Sequence, residues 1–188
     1  MSARTLDMPR RRMLWAGGGL LLLPAWLPSA RAHAASEIEI AMSGAVNGAE
    51  VWFRPRGLLI QPGQAVRWVN RDQGNVHTAT AYHPEYGKPL RIPHGAKPWD
   101  SDYLMPGQSF AVVFDVPGVY DYFCIPHEQA GMVARIVVGK ADTAVRPYAD
   151  TDSELPPAAL VNLVDVEKIL KQAPRGTRAT SAAAGDTR

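Results

Sequence analysis

Polar and apolar residues alternate at Glu37-Ile38-Glu39-Ile40, the period-2 pattern of a strand with one buried face. Short apolar runs follow, each bounded by turn residues: Val51-Trp52-Phe53, Leu58-Leu59-Ile60, Ala65–Asn70, Val76–Tyr82, Phe110–Val116, Val119–Cys124 and Met132–Val138. Pro62-Gly63 and Pro117-Gly118 mark two of the turns. Seven or eight strands within residues 37–139, with no helical period among them, predict an all-β fold, a two-sheet Greek-key β-sandwich. Trp52, Phe53 and Trp68 read as its core, and Met42 and Met105 as packing residues.

Two segments depart from this rhythm. Tyr82–Met105 carries four prolines (84, 89, 93 and 98), His83, His94 and Trp99, and reads as a long surface excursion between strands. Its two histidines read as solvated. After Gly139 the pattern changes again. Pro156-Pro157 suits the first turn of a helix, and Leu160, Leu163, Val164, Ile169 and Leu170 form an apolar face, so a C-terminal extension over 141–188 is expected to hold one helix, 156–172. That helix is expected to dock within the chain. Pro174 ends it, and the Ala/Thr/Gly-rich end after it reads as disordered.

The N-terminus reads as an address. Arg10-Arg11-Arg12 precedes an apolar stretch from Leu14 to Trp26, and Ala32-His33-Ala34 supplies a small-x-small cleavage pattern. Residues 1–34 are therefore expected to be an export signal, leaving 35–140 as the folded domain. Arg10-Arg11-Arg12-Met13-Leu14 resembles the twin-arginine motif, with Pro9 where Ser or Thr is usual. The apolar run, broken by Gly17, Gly18, Gly19 and Pro24, is shorter than a membrane span needs, so cleavage is expected over the alternative of an uncleaved membrane anchor, with no stable insertion once the signal is removed.

This segment holds five of the 20 basic residues and one of the 18 acidic ones, so the formal charge of +2 becomes −2 without it. A mildly acidic chain with no basic stripe argues against nucleic acid. The single cysteine, Cys124, excludes an internal disulfide framework, a CxxC pair and any multi-cysteine metal site built from one chain.

The chemistry concentrates in Cys124-Ile125-Pro126-His127-Glu128-Gln129-Ala130-Gly131-Met132. Thiolate, imidazole and thioether lie within nine residues, between two predicted strands, and His77 offers a second imidazole upstream. Two His, one Cys and a weak Met ligand form the donor set of a mononuclear blue-copper site. Soft sulfur suits Cu(I) and imidazole suits both oxidation states, so a rigid cage intermediate between their geometries needs little rearrangement. Taken singly, the residues also fit blander roles: Cys124 as a small buried hydrophobe, His77 as a hydrogen-bonded strand-edge residue, Met132 as core.

Together these residues resemble the cupredoxin family, and within it plastocyanin-like and halocyanin-like copper proteins. The resemblance spans Ile38 to Val138 and rests on Cys124-x2-His127-x4-Met132, Pro126, the run Gly118-Val119-Tyr120-Asp121-Tyr122-Phe123, and His77 after Trp68-Val69-Asn70. It implies one copper ion, with His77, Cys124 and His127 as strong ligands and Met132 as the long axial one. It implies outer-sphere electron transfer, not an enzyme, with the electron leaving through His127 and an apolar patch to which Ile125, Pro126 and Ala130 contribute. The expected protein is a periplasmic, monomeric carrier of single electrons between transient redox protein partners, with no small-molecule substrate. A copper chaperone or storage protein is the alternative. A copper enzyme would need a further site, which the four histidines outside residues 1–34 hardly supply.

Pro126 has no N–H and cannot donate to the Cys124 sulfur, which leaves the Thr78 N–H as the expected donor. Fewer donors stabilise the electron-rich reduced site less. Replacing Pro126 with Ala is therefore expected to raise the reduction potential of the copper-loaded protein. Voltammetry checks this, and an unchanged or lower value would contradict it.

Overall fold

The computed structural model describes residues 37–45, 50–140 and 154–172. The expected export signal and the Ala/Thr/Gly-rich end lie outside these residues. Eight strands form two four-stranded sheets: β1 (Ile38–Gly44), β2 (Val51–Arg54), β3 (Gly57–Ile60), β4 (Gln64–Asn70), β5 (Thr80–Ala81), β6 (Ser109–Phe114), β7 (Gly118–Phe123) and β8 (Val133–Val138). One sheet has the order β2-β1-β4-β6 and the other β3-β8-β7-β5. Each is mixed: β1 runs parallel to β4 and β3 parallel to β8, while the other neighbours are antiparallel. The expected sandwich is therefore present, strand for strand.

The two sheets face each other across one aromatic-rich core. Trp68 is fully buried and packs edge-on against Tyr122 (ring centroids 5.3 Å) and stacks on Trp99 (5.8 Å). Phe53 meets Tyr122 edge-on at 4.7 Å. Such pairs favour defined ring geometry beyond simple area burial. The period-2 rule settles Trp52: β2 turns Val51 and Phe53 inward, so Trp52 points the other way and is only half-buried. Met42 is in the core, whereas Met105 is exposed and does not pack there.

Two expectations are corrected by the chain's own partners. The predicted strand Val76–Tyr82 shortens to Thr80–Ala81, because the preceding backbone pairs with the excursion instead: His77 bridges Leu104, and Ser101 N–H donates to Ala79 C=O at 3.2 Å. The excursion is accordingly not confined to the surface. Its Tyr82, Ile92, Trp99 and Leu104 are buried, while His94 stays exposed and His83 half-exposed.

The single helix expected over 156–172 is two short ones, α1 (Pro157–Asn162) and α2 (Val166–Leu170). Leu163 is extended (ψ 124°), and the Asp165 side chain caps α2 by accepting from Glu167 N–H at 3.1 Å. The break serves two separate contacts on the outer face of the second sheet. Leu155 and Ala159 pack with Tyr82, Phe123 and Val133. Val166 and Ile169 pack with Leu59, Val119 and Val137. Between them, the Val164 carbonyl accepts from Arg135 Nη1 at 3.0 Å. Every residue of β7 and β8 is buried as a result, since the core lies on one side and the extension on the other.

Polar residues inside this second layer are charge-matched. Asp121 on β7 is fully buried and accepts from Arg135 Nε at 2.6 Å and from Arg91 Nε at 3.0 Å. Arg91 belongs to the excursion and Arg135 to β8, so one carboxylate joins three parts of the chain. Removing one partner of a buried ion pair strands the other charge, at a cost of about 3–5 kcal/mol. Asp121→Asn is expected to lower stability by about that much in urea titrations. Glu39→Gln, which breaks an exposed pair with Arg71, is expected to leave stability almost unchanged.

Candidate metal centre

The strand ends deliver four side chains to one end of the sandwich. Cys124 directly follows β7 and Met132 directly precedes β8, so the ladder between those strands anchors both ends of the intervening loop. The loop closes on itself: Cys124 N–H donates to Met132 C=O (3.0 Å), His127 N–H to Cys124 C=O (3.0 Å) and Met132 N–H to His127 C=O (3.1 Å). Ile125–Ala130 forms a short 3-10 helix that Pro126 helps to start, and Gly131 ends it at φ +78°, a left-handed conformation that suits glycine.

A second segment is laced to this loop by Thr78. Its N–H donates to Cys124 Sγ at 3.3 Å, as the missing N–H of Pro126 led us to expect. Its hydroxyl oxygen accepts from Ile125 N–H at 2.8 Å. Thr80 O–H is used by the Asp100 carboxylate (2.9 Å), so the Thr78–Thr80 contact (2.9 Å) has Thr78 as donor. The chain of hydroxyls thus runs in one direction, away from the sulfur.

His77 Nδ1 lies 3.6 Å from Cys124 Sγ, and His127 Nδ1 lies 3.4 Å from it. The three donor atoms fall within 4.8 Å of one another. Metal–nitrogen and metal–sulfur bonds of about 2.0–2.3 Å at ordinary three- or four-coordinate angles separate their donors by about 3.5–3.8 Å. The spacing therefore fits one ion held by a thiolate and two imidazoles, a donor set suited to copper. Met132, fully buried on the same loop, adds a thioether to this end of the fold. Cys124 and His77 are also fully buried, whereas His127 is half-buried among exposed Ile125, Pro126 and Ala130. Among the described residues, this is the one such cluster of metal-binding side chains.

Burial sets the protonation of the metal-free site. It pushes the Cys124 thiol up to about 11, against the pull of the Thr78 and His127 backbone N–H groups. It also pushes both imidazoles below the usual histidine value; Asp72 opposes this at His77, and the two rings reinforce it at His127. Asp72 itself is held below the usual carboxylate range. Burial alone would raise it, but hydrogen bonds from Asn75, Gly74 and His77 outweigh that.

Several neighbours of the site left no mark in a local motif. Asp72 contacts His77 through Nε2 at 3.1 Å. Glu128 is buried on the Cys124–Met132 loop and pairs with Lys88 of the excursion, whose ammonium sits 5.0 Å from the Phe123 ring centroid. From the other side, Asn162 of α1 donates to Gly131 C=O at 3.1 Å. A Cβ at Gly131 would approach the Ala158 carbonyl oxygen to 2.8 Å, so the helix seats directly on that glycine.

The chain matches the family of copper binding proteins described as the plastocyanin/azurin family, over residues 40–139. It is 39% identical over 99 residues to plastocyanin of Scenedesmus fuscus, covering 50% of this chain and 93% of that protein. It is 30% identical over 131 residues to a putative pseudoazurin of Rhizobium leguminosarum, covering 69% and 78% respectively. Among solved structures, a Sinorhizobium pseudoazurin superposes with a TM-score of 0.51 at 28% identity, covering 71% of this chain and 93% of that one.

A metal bound between these donors requires the thiolate, so uptake must displace the Cys124 proton at any pH below about 11. Binding of Cu(II) to the metal-free protein near neutral pH is expected to release about one proton from this thiol, and affinity to rise about tenfold per pH unit. The imidazoles, already neutral there, contribute little. Proton release in a pH-stat checks this, and Cys124→Ser should abolish it.

Proposed function

This chain belongs to the plastocyanin/azurin family of copper binding proteins, and we propose that it carries single electrons between redox partners, with His77, Cys124, His127 and Met132 holding one copper ion. The observation that carries this reading is the spacing of His77 Nδ1, Cys124 Sγ and His127 Nδ1, 3.4–3.6 Å from sulfur to nitrogen. The relatives it matches include a plastocyanin and a putative pseudoazurin, and the resemblance to this family implies electron transfer rather than enzymatic turnover.

Copper bound there supplies a one-electron couple. The protein's part is to keep the donors in place as the charge changes, and the closed loop and the Thr78 lacing do that. Burial of His77, Cys124 and Met132 excludes water from the first contacts of the ion. His127 is the donor nearest to solvent, and exposed Ile125, Pro126 and Ala130 beside it in the chain offer a partner an apolar, readily dehydrated contact. That exposed edge would let the His127 imidazole pass an electron without the partner touching the ion.

The same reading assigns residues 1–34 as an export signal, of twin-arginine type, and a periplasmic location. Among the described residues, no helix is long and apolar enough to cross a membrane. All four proposed ligands come from one chain, which suits a monomer. A chaperone that hands copper on would gain from an open site, whereas three of the four donors here, His77, Cys124 and Met132, are fully buried.

The Cu(II)-loaded protein is expected to bind one copper per chain, to show a strong thiolate-to-copper absorption band, and to give a reversible one-electron wave without nitrite reduction or oxidase turnover. Cys124→Ser should lose the band. A colourless cupric form, or delivery of copper to an apo acceptor in place of reversible cycling, would overturn the reading.

A further inference from the structure

Asp72 stands behind His77, on the side of the ring away from the sulfur. Its Oδ2 lies 3.1 Å from Nε2, while Nδ1 of the same ring faces Cys124 Sγ. An ionised carboxylate only accepts hydrogen bonds. Nε2 must therefore carry the ring proton, which leaves the Nδ1 lone pair directed at the metal centre. Both side chains are buried, at 0% exposure for His77 and 6% for Asp72.

The carboxylate is itself held on several sides. Gly74 N–H donates to Oδ1 (2.8 Å) and Asn75 Nδ2 to Oδ2 (2.9 Å). Asp72 N–H donates to Asn70 Oδ1 (2.9 Å), and Asn70 Nδ2 fixes the turn by donating to Asn75 C=O (2.9 Å) and Leu104 C=O (2.8 Å). Gly44 at the end of β1 completes the seat. Its backbone is not left-handed, so the chain direction does not call for glycine there. A Cβ at that position would collide with Asp72 Oδ2 and come within 3.0 Å of Asp72 Cγ. What requires glycine at residue 44 is the space the carboxylate occupies.

We propose that Asp72 is a positioning residue for the metal centre: seated against Gly44, it fixes His77 with Nδ1 free and keeps a negative charge one ring away, favouring Cu(II) over Cu(I). The inference rests on the reading of His77 as a ligand. Carboxylates behind ligating histidines raise ligand basicity, and their loss typically weakens metal binding by about 10–100-fold. Favouring the more positive ion lowers the reduction potential.

Asp72→Asn keeps the shape and removes the charge. In that variant the Cu(II)-to-Cu(I) affinity ratio is expected to fall at least about tenfold, which raises the potential by about 59 mV or more. Gly44→Ala, which touches no proposed ligand, should shift it in the same direction by displacing the carboxylate. Glu39→Gln, an exposed carboxylate on the same sheet, serves as the charge control and should shift it far less. Long-range proton–nitrogen NMR of the copper-free wild type gives a reading independent of metal and of any variant's folding: His77 should be protonated at Nε2 and bare at Nδ1. An Nδ1–H tautomer, or an Asp72→Asn potential that is unchanged, lower or no higher than that of Glu39→Gln, would overturn the proposal while the thiolate-to-copper band persists. If the wild type never shows that band, the copper reading fails first and this inference falls with it.

Discussion

His77 and Cys124 lie 47 residues apart in the chain, and one threonine keeps them in register. Thr78 gives its N–H to the sulfur and receives the N–H of Ile125, so a single residue ties the segment after β4 to the end of β7. The two sheets bring these chain segments to the same end of the sandwich, but sheets alone set positions only to within a side chain's reach. The Thr78 contacts convert proximity into fixed sulfur-to-nitrogen spacing. The fit to a soft-donor metal follows from that spacing, and burial keeps the site's protonation as described above.

Around this link, the ligand loop is held on several sides. Its ends enter β7 and β8. Lys88 of the excursion holds Glu128, and Asn162 of the C-terminal extension holds Gly131. The excursion and the extension look peripheral in the chain, yet each reaches the Cys124–Met132 loop. Arg91 and Arg135 join the same two segments to the second sheet through Asp121 and the Val164 carbonyl. The outer layer therefore buries the second sheet's outer face and steadies the loop as one unit.

The places of the strands along the chain were legible in sequence because alternation and turn residues are local signals; their order within the two sheets was not. Cys124, His127 and Met132 were legible for the same reason, since their spacing lies within one loop. His77 was found only because that loop's chemistry called for a second imidazole. Thr78 as sulfur donor followed from what Pro126 lacks. Asp72 and Gly44 were not legible: their role exists only once β1 and the turn after β4 meet in space. The helix break at Leu163–Asp165 escaped because an apolar stripe reports which face is buried, not whether one surface or two receives it. Trp99 escaped because a proline-rich stretch reads as loop even where its tryptophan stacks on Trp68.

The closed hydrogen bonding of the Cys124–Met132 loop has a consequence for the order of events. The entropy of bringing these side chains together is lost when the polypeptide folds, before any ion arrives. A loop already ordered in this way lowers the ordering cost that binding an ion would otherwise carry. Under the proposed electron-carrier role, one fixed template serves both charge states, and the work of reorganisation falls on the solvent and the partner.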